Sequence, residues 1–61
     1  MTPHELEILR LVAEGLRDKE IAAKLDTTHG STRTYLSAIY AKLKVHSRVQ
    51  AVIAAREKGL I

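Results

Sequence analysis

Apolar residues recur at helical spacing in four stretches of the chain. In the first, Leu6, Leu9 and Ala13, with Ile8 and Val12 beside them, form a wide stripe at three- and four-residue steps. Thr2-Pro3-His4-Glu5 has the spacing of a capping box with proline at the first helical position, which predicts a helix from Pro3 that ends at Gly15. The second stretch, Lys19 to Leu25, turns Ile21, Ala22 and Leu25 inward and takes Asp18 as its expected N-cap. Asp26-Thr27-Thr28 then reads as a tight connection, with Thr28 capping a third helix from about His29 to Leu43. Ser47-Arg48-Val49-Gln50 has the spacing of a second capping box and opens a fourth helix, with Ala51, Val52 and Ala55 inward and Gly59 as its stop. The expectation is one all-α, four-helix domain over residues 1–61, with helices at about 3–15, 19–25, 29–43 and 48–58.

The third helix carries the most distinctive pattern. On a wheel of about 100° per residue, Thr32, Tyr35, Leu36, Ile39, Tyr40 and Leu43 gather on one side and are expected to pack inward. The opposite side is a strip of small side chains, Gly30, Thr34, Ser37, Ala38 and Ala41, edged by Arg33 and Lys42. An ordinary solvated face is rich in long Glu, Lys and Gln, whereas small residues let a helix approach another body closely, as entry into a DNA major groove demands. On the fourth helix, Val49, Ile53 and Glu57 form a separate stripe. Two readings are open for it: a dimer seam, or the edge of the small core.

Charge sharpens the picture because it is unevenly spread. Residues 1–26 hold Glu5, Glu7, Glu14, Asp18, Glu20 and Asp26 against Arg10, Arg17, Lys19 and Lys24, a net of −2. Residues 27–61 hold Arg33, Lys42, Lys44, Arg48, Arg56 and Lys58 against Glu57 alone, a net of +5. A basic half suggests a polyanionic partner, the other reading being a solvated basic face. There is no cysteine, and His4, His29 and His46 lie on separate segments, so neither a metal site, a cofactor site nor a catalytic cluster is expected. His29 is better suited to touch phosphate or solvent than to act as a base. No stretch reaches the length of a membrane span or has the form of a signal peptide, and the chain reads as cytoplasmic.

Specific residues in this order resemble the LuxR/FixJ/NarL family of helix-turn-helix domains. The resemblance covers essentially the whole chain: Leu6 to Gly15 around the segment Leu9 to Gly15, then Lys19-Glu20-Ile21-Ala22, Leu25, Lys42-Leu43, Val45, Arg48, Ala51-Val52 and Gly59-Leu60-Ile61. Arg17-Asp18 stands where the family usually has Ser-Asn, and Asp18 is expected to take over the cap. Thr27 and Thr32 replace the usual Ile and Val, so each hydroxyl needs a partner or costs about 1–3 kcal/mol. Thr32 can bond a carbonyl one turn back, at His29 or Thr28. Ser31, Arg33 and Tyr35 replace Thr, Lys and His, keeping a hydroxyl, a cation and a ring with a polar tip. Lys44 replaces a frequent Gly or Asn where the backbone can need positive φ.

The resemblance implies sequence-specific binding of double-stranded DNA by an output domain of a bacterial transcriptional regulator, of response-regulator or quorum-sensing type and associated with the nucleoid. The third helix would enter the major groove and the fourth would pair two domains as a weak homodimer through Val49, Ile53 and Glu57. Arg33 is then the first choice for base readout, since its fork can bind guanine O6 and N7 together. Thr34 and Ser37 lie one turn apart on the groove face, and Ser31 and Thr28 at the helix start suit phosphate. Lys19, Lys42 and Lys44 are candidate phosphate neutralisers, and Arg48 is expected to brace helix packing instead. The family usually carries a sensory domain before this one, and a start at the first helix cap suggests an excised C-terminal domain rather than a stand-alone regulator. A competing reading keeps the fold and gives the basic face an acidic protein partner, RNA polymerase or a sensory domain. No aromatic ladder for single-stranded nucleic acid is present.

Overall fold

The computed structural model describes all residues, Met1–Ile61, and consists of four α-helices: α1 (Pro3–Ala13), α2 (Asp18–Lys24), α3 (His29–Leu43) and α4 (Arg48–Glu57). The expected architecture is what forms. The helix ends are corrected by one or two residues: α1 stops at Ala13 rather than 15, α2 runs one residue earlier at both ends, and α4 stops at Glu57 rather than 58.

Local chemistry accounts for the starts. Thr2 and Glu5 cap α1 reciprocally: the Thr2 hydroxyl accepts from Glu5 N–H at 3.2 Å, and Thr2 N–H donates to Glu5 Oε1 at 2.9 Å. Thr28 caps α3 as expected, accepting from Ser31 N–H at 3.0 Å. At α2 the expectation is corrected. Arg17, not Asp18, is the N-cap; its side chain caps nothing, and Glu20 alone closes the turn by accepting Arg17 N–H at 2.8 Å. Asp18 lies inside the first turn because its carboxylate is engaged elsewhere, by Arg48. The box at α4 is also shifted. Ser47 accepts from Gln50 N–H at 3.2 Å, but the Gln50 carbonyl reaches past the cap to His46 N–H at 2.8 Å.

All four helices end the same way. Gly15, Asp26, Lys44 and Gly59 take left-handed φ of 93°, 54°, 57° and 70°. Each of these residues donates to the carbonyl three back, while the following residue reaches five back: Leu16 to Leu11, Thr27 to Ala22, Val45 to Tyr40 and Leu60 to Ala55. Leu16, Val45 and Leu60 fold onto the core at these stops, so each turn also adds burial. Asp26 and Lys44 hold a conformation that costs a residue with a Cβ about 1 kcal/mol. Lys44→Gly is therefore expected to raise stability by about 0.5–1 kcal/mol and Tm by several degrees, measured by thermal and urea unfolding.

The core joins Ile8, Leu9 and Val12 of α1, Ile21 and Ala22 of α2, Leu36, Ile39 and Leu43 of α3, and Ala51 and Ala55 of α4. Two alanines on the inner face of α4 leave room for α1 to lie close against it, while α2 packs chiefly on α3. Thr32 is the one buried polar residue, and its hydroxyl donates to Thr28 O at 3.1 Å, one of the two partners the sequence allowed. Thr27 is half-buried, and no side-chain polar atom is buried without a partner. No helix is long and apolar enough to cross a membrane.

Candidate nucleic-acid interface

α2, the turn at Asp26 and α3 form a helix-turn-helix unit whose outer surface is α3. Gly30, Arg33, Thr34, Ser37, Ala38 and Ala41 are all exposed, as the wheel predicts, while Tyr35 and Tyr40 are half-buried and the other four inward residues are buried. Arg33 makes no ion pair or hydrogen bond within the domain, so its five donors are free at the edge of the strip. The Thr34 hydroxyl donates to Gly30 O at 3.1 Å, which leaves its methyl group and lone pairs facing outward. Ser37 is exposed one turn on, in an open groove with Tyr40, Ala41, Lys44, Val45 and His46. At the other end Thr28 donates its hydroxyl hydrogen to Ser31 Oγ at 3.0 Å, so these two residues are bound to each other before any partner arrives.

The three lysines separate in the fold. Lys19 and Lys44 are exposed and unpaired, whereas Lys42 Nζ lies 2.7 Å from Glu5 Oε1 of α1. Nothing in the local sequence marks this pair, because its members are 37 residues apart. Hydrogen bonding by Lys42, joined by Thr2 N–H, lowers the Glu5 pKa from 4.5 to about 2. A depressed carboxylate stabilises the fold above its unfolded pKa and loses that contribution as pH falls through the folded one, here between about pH 4.5 and about 2. In Lys42→Ala, Glu5 is expected to titrate higher than about 2 but still below the ordinary carboxylate value, because Thr2 N–H and the Thr2 hydroxyl go on donating to it, followed by its side-chain carboxyl resonance in NMR; a midpoint still near 2 would assign the shift to the cap alone.

Arg48 braces the domain, as its position suggests. Its guanidinium donates to Leu16 O at 2.6 Å and pairs with Asp18, tying α4 to the α1–α2 loop and the first turn of α2. Asp18 also lies 3.8 Å from His29 Nε2, so α2, α3, α4 and the α1–α2 loop meet here. On the outer side of α4, Val49 and Ile53 are 69% and 51% exposed. They border a shallow groove with Val12, Val52, Arg48 and Arg56. Glu57, one turn beyond Ile53, is exposed as well.

A short helix and tight turn holding a longer helix with one open, cation-edged face define a helix-turn-helix DNA-binding domain. The chain matches the model of the bacterial regulatory proteins of the luxR family over residues 1–55, and it belongs to that family, whose domains bind DNA and are not enzymes. It is 44% identical over 59 residues to the transcriptional regulatory protein DesR of Bacillus subtilis, covering 97% of this chain and 30% of that protein. It is 40% identical over 60 residues to the nitrate/nitrite response regulator NarL of Escherichia coli, covering 98% and 28% respectively. Among solved structures, the response regulator ChrA of a heme-sensing two-component system superposes with a TM-score of 0.95 at 40% identity, covering 98% of this chain and 30% of that one. The chain thus spans less than a third of the length of these relatives.

Proposed function

We propose that the chain is the sequence-specific, duplex-reading output domain of a bacterial transcriptional regulator of response-regulator type, with α3 in the major groove. The observation that carries this reading is the free guanidinium of Arg33 beside an exposed strip of small side chains. Small residues allow close approach, and Arg33 can address guanine from the first half of the helix. Thr34 offers a methyl group to thymine, Ser37 a hydroxyl to base or phosphate, and Thr28, Ser31, Lys19 and Lys44 lie where backbone phosphates flank the helix. Lys42 contributes only if it leaves Glu5, and otherwise serves the fold.

The domain measures 29 × 20 × 18 Å. That is shorter than the ~34 Å of one duplex turn, so one copy covers one half-site. Exposed Val49 and Ile53, with Glu57 at the rim, support pairing of two copies through α4. Two exposed apolar side chains are few for an interface stable by itself, so the dimer forms mainly on DNA.

Titration of the chain against duplex and single-stranded DNA at two salt concentrations, followed by selection from a randomised duplex pool, tests the reading. Salt-dependent duplex binding and an enriched inverted pair of half-sites are expected. Failure of the folded domain to bind duplex at low salt would instead favour a protein-interaction module with an acidic partner. Ile53→Glu is expected to abolish cooperative binding to paired half-sites while leaving single half-site affinity unchanged; undiminished cooperativity would remove α4 from the dimer.

A further inference from the structure

Two histidines bracket the exposed strip of α3, of which the sequence offers only His29, and only to phosphate or solvent. His29 opens the helix one turn before Arg33 on the same edge, and it lines an open pocket with Arg17, Lys19 and Arg48. His46 lies just past the other end, in the groove that holds Ser37 and Lys44. Both are exposed, so neither ring is needed for packing. The third histidine, His4 of α1, packs edge-on against Tyr35 of α3, with ring centroids 5.1 Å apart.

A helix of 15 residues is about 22 Å long. The major groove is about 12 Å wide, so only the middle of such a helix faces base edges and its ends fall beside the sugar-phosphate walls. Each end here presents an imidazole next to an unpaired lysine, Lys19 with His29 and Lys44 with His46. We propose that His29 and His46 are phosphate ligands of the bound duplex, one at each end of the recognition helix, so that the duplex is held more tightly as the imidazoles take up protons. This rests on the reading of α3 as the groove helix.

The surroundings fit that role. Asp18 Oδ2 lies 3.8 Å from His29 Nε2, and Arg17, Lys19 and Arg48 line the same pocket. A phosphate entering this pocket adds negative charge and draws a proton onto the imidazole. His46 faces Lys44 and the Tyr40 hydroxyl, whose pKa burial raises further above neutrality. No carboxylate lines that groove, so nothing there competes with a DNA phosphate for the imidazole. In each case the proton comes from solvent, and binding and protonation reinforce each other.

The test measures affinity for a mixed-sequence duplex of about two helical turns between about pH 8 and pH 6 at constant ionic strength. The wild-type chain is expected to gain about threefold to tenfold in affinity across that range. His29→Gln and His46→Gln each remove part of the gain, and the double variant binds with no pH dependence, whereas His4→Gln keeps the wild-type profile. A flat wild-type profile, or a dependence that survives in the double variant, overturns the proposal while leaving groove binding intact. Loss of all duplex binding by the folded wild-type chain would overturn both.

Discussion

Arg33→Ala is expected to lower affinity for the selected duplex by about 5-fold to 150-fold, the 1–3 kcal/mol that a bidentate arginine–guanine contact provides. The fold should not change, because Arg33 is exposed and makes no hydrogen bond or ion pair within the domain. The loss should be concentrated at one base pair. On duplexes already mutated there, wild type and variant should bind alike, whereas a phosphate contact would weaken binding to every sequence equally and reduce the salt slope by about one unit. Arg33→Lys should recover only part of the affinity, since an ammonium cannot present two parallel donors to O6 and N7. Uniform loss across sequences would move Arg33 to the backbone and leave base readout to Thr34 and Ser37.

The second large effect is on stability. Arg48→Ala removes a guanidinium that satisfies the Leu16 carbonyl and the Asp18 carboxylate together. The pair is about one-third exposed, 36% and 30% for the two side chains. The cost of breaking a fully buried pair therefore has to be discounted for solvent, to about 2 kcal/mol. A domain of this size has only a few kcal/mol in hand, and the melting temperature should fall by roughly 10 °C. Asp18→Asn, which keeps a hydrogen-bond acceptor, should cost less than Arg48→Ala in the same unfolding experiment. Equal stability of Arg48→Ala and wild type would make the bridge a surface pair of no consequence, and the convergence of α1, α2 and α4 would then rest on apolar packing alone.

Lys42 and Arg48 illustrate what can be read along the chain. Both belong to the family's motif and both are cations in the basic half. Arg48 was legible as a brace because it stands in the first turn of a capped helix, next to a stripe that must face inward. Lys42 was not legible as a partner of Glu5. Its position on the wheel places it at the edge of the exposed strip, and nothing in that position says that α1 passes within 2.7 Å. The misplaced cap of α2 has the same origin. Asp18 is a strong capping residue by type, but an arginine 30 residues away competes for its carboxylate.

Chain order alone determined the number of helices, their faces and their ends to within two residues, because caps, periodicity and left-handed turns depend on residues within about five positions of one another. It also marked the exposed strip of α3, since a helix that is apolar on one side must leave the other to solvent or a partner. Tertiary structure decided which charges are free. Arg33, Lys19 and Lys44 are unpaired while Lys42 and Arg48 are engaged, and those pairings join residues 30 to 37 positions apart. A stripe on a wheel fixes which way a side chain points but not which helix lies opposite it. That depends on how four helices pack around one small core.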